Sequence, residues 1–347
     1  MLAEIDKLKK GDFPDNLLPS IINNYKRNRY QTLESNEGRA DMFVDAFINE
    51  VDWKQEVESI DRVSKITKQD IVTFANKFFT NGYVTVFKKQ GVDSLQKKID
   101  KPAITPIPTN RDMMSQFVKD IQNAKVEPIQ PKFVDFKKDM TMAKTKKGLP
   151  LKYVKNTENG LFQLNLHYEF GRKADNRYDV ATDYIDYLGT DKYTAAELKQ
   201  KFYELGCDFY VGEGSDEINV RLMGLSENMQ AALALGEELL QNAKVDKEAY
   251  NEMVGQILKR RDDAKKNQRG YFNWLYNYGV FGKRNFSRDI MTEEQLKNTN
   301  PQVFVDLLKN LSSYEHSVEY YGPMTVKEVS DIVTKTHKMP KKLLPVP

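Results

Sequence analysis

Residues 161–170 read LFQLNLHYEF, and residues 205–224 read LGCDFYVGEGSDEINVRLMG. In the first stretch Phe162, Leu164, Leu166 and Tyr168 recur at period two, the spacing of a strand with one covered face. Gly171 and the charged run 172–175 end it. In the second stretch, 207–212 and 217–224 flank a turn at Gly214, Ser215 and Asp216, which predicts a hairpin. Between them lie two helices. The first spans 178–188 and is closed by Gly189. The second starts at Thr194, with Glu197 three residues on as a capping box, and presents Leu198, Phe202 and Leu205 on one side. An Ala- and Leu-rich helix follows over 227–242. Strand, two helices, hairpin, helix is an α+β order.

Upstream, residues 1–80 read as almost all helical: 15–29 with Pro19 in its first turn, 34–49, 52–62, and a helix capped by Thr67 with Asp70 at its third position. Residues 83–89, from Tyr83 to Lys89, read as a strand, and Val84 and Val86 as its inner face. The prolines of 100–108 predict an extended linker, interrupted by a polar helix over 112–123. Strands are expected at 133–139 and 151–154. Downstream come a charged helix at 246–266, an aromatic helix at 269–281, short helices beginning at Thr292 and Asn300, a strand at 315–321 and a helix at 325–336. Residues 340–347 read as an irregular, mobile tail.

One internal repeat organises this order. Residues 66–91 run cap, helix (Ile71, Phe74, Phe78), turn, strand (Val84, Val86), Gly91; residues 300–322 run cap, helix (Val303, Leu307, Leu308, Leu311), turn, strand (Val318, Tyr320), Gly322. The copies lie about 230 residues apart, far beyond the period of a solenoid. Two related modules are implied, the first lacking its front. The domain reading is therefore 1–95 as a helical back half ending in one strand, 96–131 as a linker, 132–340 as a complete α+β module, and 341–347 as a tail.

Composition narrows the function. The chain has 347 residues, 40% hydrophobic and 30% charged, with net charge +3. A balanced surface of this kind argues against nucleic acid and membrane as partners. No apolar run approaches a membrane span. Residues 1–10 are amphipathic and charged, unlike a signal peptide. A single Cys207 excludes an intrachain disulfide and a cysteine-built zinc site; a buried small residue is its expected role.

The order of elements resembles the zinc metallopeptidases of the insulinase and pitrilysin type, the M16 family. In the catalytic module of that family the helix after the first strand carries His-x-x-Glu-His, followed shortly by a Gly-Thr pair. Gly189 and Thr190, Ala195 to Glu197, Leu205 and Gly206, and the helix up to Leu240 match the outline. The helix that should carry the metal motif reads ATDYIDY over 181–187, with neither His nor Glu. The resemblance is thus to non-catalytic modules. It implies an M16-like (LuxS/MPP-like) mixed, largely antiparallel sheet with helices on one face, preceded by the helical half-module, and a part that helps enclose peptide substrates without catalysis of its own. It also implies a parent zinc metalloendopeptidase, exported or periplasmic, whose zinc sits in a catalytic module outside this chain. An inactive partner subunit of a heterodimeric peptidase is the alternative.

The candidate chemistry is sparse. His167, His316 and His337 share no helix turn, so a zinc site would need long-range pairing, with His167 and His316 on neighbouring strands as the one visible route. Asp183 and Asp186 face one side of a helix without a general-acid partner and read as surface. Tyr271, Leu275 and Tyr278 read as a buried seam of the aromatic helix rather than a base-stacking platform. By resemblance, the strand after the Leu-Gly corner adds peptide substrate to the sheet in catalytic modules. Its equivalent, with Asp208 and Tyr210 on one face and Phe209 and Val211 on the other, is the candidate substrate-facing edge, or is simply covered. Residues 83–89 are the candidate for self-association, because an unpaired strand invites another.

Overall fold

The structure, a computed structural model, describes residues 1–91, 95, 100–107, 109, 111, 113–284 and 289–347. Pro108 and Asp112, and with them parts of the expected linker and polar helix, lie outside the described residues.

The N-terminal part is helical: α1 (Leu2–Lys10), α2 (Leu17–Glu34), α3 (Asn36–Ile48), α4 (Trp53–Val57), α5 (Ser59–Val63) and α6 (Lys68–Phe78). Ser35 divides α2 from α3 because its hydroxyl accepts from Gly38 N and caps the second helix. Thr67 and Asp70 form the expected capping box of α6. This helix packs on α1, where Asn76 Nδ2 donates to Lys9 O at 2.9 Å. The expected strand over 83–89 is not formed: these residues pair with no strand among the described residues, and Val84, Val86 and Phe87 are 92%, 88% and 80% exposed. An isolated strand has no ladder, and none of the described strands lies alongside it.

Within the linker, α7 (Gln116–Asn123) is capped by Ser115. The strand expected at 133–139 is absent. Asp139 accepts from Asp135 N at 2.8 Å and Asp135 from Lys137 N at 3.0 Å, so the carboxylates bind their own backbone and close a turn. Pairing begins instead at β1 (Thr141–Lys144).

The sheet has six strands in the order β1-β2-β6-β3-β5-β4, with β2 (Pro150–Lys155), β3 (Leu161–Tyr168), β4 (Cys207–Glu213), β5 (Ile218–Leu225) and β6 (Ser317–Gly322). All neighbours are antiparallel except β2 and β6. Although β2 and β3 are consecutive in sequence, the last strand inserts between them. The remaining helices are α8 (Arg177–Tyr184), α9 (Ala195–Glu204), α10 (Met229–Asn242), α11 (Lys247–Ala264), α12 (Gln268–Phe281), α13 (Glu293–Asn298), α14 (Gln302–Asn310) and α15 (Val326–Thr336). The core lies between one sheet face and these helices. Leu164, Leu166, Val220, Leu222 and Val318 meet Ala181, Met229, Ala232, Phe304 and Val333, all buried. Gly236 permits this approach on α10: a Cβ there would stand 2.7 Å from the Phe209 ring, which stacks on Phe202.

Two further expectations are corrected. The aromatic helix α12 has no buried residue; Tyr271, Leu275 and Tyr278, expected as a buried seam, are 54%, 69% and 55% exposed. The tail is pinned rather than loose. Leu344 lies beside Tyr314, accepting from Glu315 N and donating to Ser313 O, both at 2.8 Å.

Candidate functional site

Helices cover one face of the sheet, so period-two alternation decides what the other face carries. On β3 that face holds Gln163, Asn165 and His167; on β5, Asn219, Arg221 and Met223; on β6, Glu319 and Tyr321. The register places Lys152, Glu319, Asn165, Arg221 and Tyr210 in one row across five strands. A concavity of about 480 Å³ opens over it, lined also by Met140, Val154, Met223 and Tyr321.

Charge in this row is unevenly matched. Lys152 Nζ lies 2.9 Å from Glu319 Oε1, and Asn165 Nδ2 donates to Glu319 Oε2 at 3.0 Å and to Asn219 Oδ1 at 2.8 Å. Burial pushes the Glu319 carboxyl up, but the hydrogen bonds from Asn165 and Lys152 outweigh it, and the group is held below its ordinary range. Arg221 is exposed and forms no ion pair among the described residues.

The expected substrate-facing strand is an edge. No other described strand pairs with β4 on its outer side. Backbone bonds at Gly206 and Leu225 and at Gly214 and Glu217 fix the alternation. It turns the backbone groups of Phe209 and Val211 outward, toward the side where α8 and α9 pack, and those of Asp208 and Tyr210 toward β5. Side chains alternate as read: Val211 is buried, Phe209 lies under Gly236, and Tyr210 is 56% exposed on the open face. Asp208 is tied at 2.9 Å to Arg27 of α2, so the helical half docks at this end of the sheet. Asn24 Nδ2 strengthens that docking by donating to Tyr203 O at 2.6 Å. Cys207 is buried as expected, which pushes its thiol up to about 12.

The helix that by resemblance would carry a metal motif packs into the core. Ala181, Tyr184 and Ile185 are buried, and the Tyr184 hydroxyl donates to Asp246 O at 2.6 Å while accepting from Asp246 N at 3.0 Å. These residues do not fit a zinc ion, and among the described residues no three His, Cys, Asp or Glu side chains group as metal ligands. Asp183 is exposed beside Arg260 at 3.5 Å.

The histidines are brought together differently from expectation. The strands do pair, with His167 opposite Ser317, but His167 stays on the open face, 3.0 Å from Asn219 Oδ1. His316 lies against the buried Tyr168 ring and meets His337, Nε2 to Nε2, at 3.0 Å. His337 Nδ1 then meets Glu237 Oε1 at 2.6 Å, and Glu237 Oε2 accepts from Lys338 N at 3.0 Å. Tyr314 O accepts from His316 Nδ1 at 2.7 Å, so His316 Nε2 is the acceptor and the proton between the rings comes from His337. Burial, its main cause, lowers the His316 pKa to about 4, consistent with a neutral ring. Glu237 occupies the far nitrogen of His337, so the three side chains do not converge on one point. The network joins α10, the start of β6 and the end of α15. Its members lie 21 and 100 residues apart, which leaves no local signal in the sequence.

A second buried carboxyl stands at the far end of β4. Burial, with Asp179 nearby, pushes Glu213 up to about 7 despite Arg172 at 3.5 Å. No helix is long and apolar enough to cross a membrane among the described residues.

No family model matches the chain, and no curated protein matches it. Solved structures do. An inactive domain of peptidase M16 from Pseudomonas fluorescens matches with TM-score 0.51 and 16% identity, over 59% of this chain and 52% of that one. The first half of the periplasmic protease PqqL from Escherichia coli matches with TM-score 0.50 and 14% identity, over 60% and 48%. The ferredoxin protease FusC in complex with Arabidopsis ferredoxin matches with TM-score 0.50 and 10% identity, over 90% of this chain and 37% of that one. The match thus spans about half the length of the first two. The mixed sheet with its helical cover has the fold of M16 inactive domains.

Proposed function

We propose that this chain is a non-catalytic part of an M16-type zinc metallopeptidase, helping to enclose peptide substrates against the open face of its sheet. The observation that carries this reading is the packed position of the metal motif, with Tyr184 bonded to the Asp246 backbone, set in an otherwise M16-like fold. Catalysis and zinc then belong to a catalytic module elsewhere in the same protein or in a partner, and export of the parent accompanies the reading. An inactive partner subunit of a heterodimeric peptidase is the second form of the same idea. It is favoured by the exposed residues 83–89, which offer Val84 and Val86 to a strand of another module or of a second copy.

The test is binding without turnover. Purified chain should retain fluorescein-labelled unfolded casein in anisotropy titrations, leave a fluorogenic peptide uncleaved, and carry no stoichiometric zinc by elemental analysis. Chelator-sensitive cleavage by this chain alone would sink the proposal, as would failure to bind unfolded casein.

A further inference from the structure

We infer that the concavity over the open sheet face is a subsite for an acidic side chain of a peptide, with Arg221 as its anchor; this rests on the peptide-enclosing reading above. The argument is one of uncompensated charge. Glu319 is the one carboxylate among the described residues lining the concavity, and both of its oxygens are committed, to Lys152 at 2.9 Å and to Asn165 at 3.0 Å. Asn165 spends both amide hydrogens on Glu319 and Asn219, which holds Glu319 on the side of the row away from Arg221. The nearest carboxylate on β4 that shares this face, Asp208, is taken by Arg27 at 2.9 Å. What is left over the middle of the sheet is one guanidinium without an ion pair, in a concavity of about 480 Å³, within the range of ligand sites.

A guanidinium offers a planar fork that matches a carboxylate in two parallel hydrogen bonds. Beside it, Met140, Val154, Met223 and Tyr321 form an apolar rim along one side of the row. The occupant that satisfies both is an extended peptide segment whose Asp or Glu meets Arg221 while apolar neighbours rest on the rim. A bare inorganic anion would leave that rim uncovered, and a fully apolar segment would bury the guanidinium unpaired.

The experiment compares two fluorescein-labelled decapeptides of Leu, Val and Ser that differ only in a central Glu or Gln. Wild-type chain should bind the Glu peptide about tenfold more tightly. Arg221→Gln should abolish that preference, and Arg221→Lys should keep part of it. Glu319→Gln, which releases Lys152, should widen the preference. Arg221 is exposed, so circular dichroism of its variants should match wild type. Equal binding of the two peptides by wild type overturns the subsite and leaves the enclosing function standing. Loss of binding for both overturns the enclosing function and the subsite with it. A Glu preference that survives in Arg221→Gln places the anchor elsewhere and also overturns the inference.

Discussion

Residues 66–91 and 300–322 carry the same signals in the same order, a cap, an amphipathic helix, a turn and an apolar strand, yet they end in opposite states. In the later copy Phe304, Val305 and Leu308 of α14 are at most 1% exposed, and β6 is held between β2 and β3. In the earlier copy Phe74 and Phe78 of α6 are 54% and 57% exposed and no strand forms. The difference does not lie in the local sequence. It lies in the strands that precede the unit: the later copy has five to insert among, the earlier one none among the described residues. A helix–strand unit of this type is half of a contact, and its apolar pattern records the partner whether or not the partner is present.

The largest effect should come from placing a proline in the final segment of each copy. Val318→Pro removes a donor in the interior of the sheet and forces a backbone angle on a residue that is fully buried, so the module should fail to fold. Val86→Pro, at an 88% exposed position, should leave urea unfolding unchanged. If residues 83–89 mediate self-association, that same change should convert a concentration-dependent sedimentation profile to a monomeric one. Wild-type chain that is monomeric at every concentration removes self-association from the proposal. The helices should divide in the same way. Phe304→Ala should cost about 3–5 kcal/mol, and Phe78→Ala, already largely in water, well under that, by urea midpoints.

This contrast also marks what could be read from the chain. The caps at Thr67 and Thr194 and the hairpin of β4 and β5 are local, and the residue types that make them are adjacent. The edge position of β4 and the alternation of Asp208 and Tyr210 were legible for the same reason. The insertion of β6 between β2 and β3 was not, because pairing partners about 160 residues apart leave no period in the sequence. Residues 133–139 misled because alternation does not reveal that Asp135 and Asp139 will bind their own backbone. The exposed seam of α12 misled because periodicity predicts an apolar face but not what covers it. Arg221 becomes informative only once the register shows that Glu319 is committed elsewhere.

Acid should separate the copies by a middling amount. The later copy contains His316, buried and lowered to about 4; the earlier has no counterpart. As pH falls from about 6.5 toward 4, the unfolded chain binds a proton there that the folded chain refuses, so stability should fall by roughly 3 kcal/mol. Glu213 acts in the opposite sense. Its carboxyl, raised to about 7, gains a proton in the folded chain first, so its contribution is present in acid and lost as pH rises through about 7. The two should nearly offset in wild-type chain between about pH 6.5 and 4.5. Glu213→Gln should expose the histidine loss as a steep fall of the urea midpoint in acid. A flat profile in that variant would mean that the Glu237, His337 and Tyr314 groups facing His316 accommodate its charge.

The smallest effect should be the most even. Thr67 Oγ1 accepts from Asp70 N at 3.2 Å, and Asp70 returns a bond from Thr67 N at 2.8 Å, at the start of α6. At the start of α14, Asn300 Oδ1 accepts from Gln302 N at 3.0 Å. A cap satisfies backbone donors in the first turn and depends little on what covers the helix further along, so burial should not enter. Thr67→Ala and Asn300→Ala should each cost about 1 kcal/mol, read as faster amide exchange in the first turns of α6 and α14. Equal losses would mean that α6 stands as a formed helix with its apolar side in water, held by α1 through Asn76 and Lys9. A loss at Asn300 with none at Thr67 would mean that the earlier unit forms its helix only when a partner sheet arrives, and the two copies would then differ in folding as well as in cover.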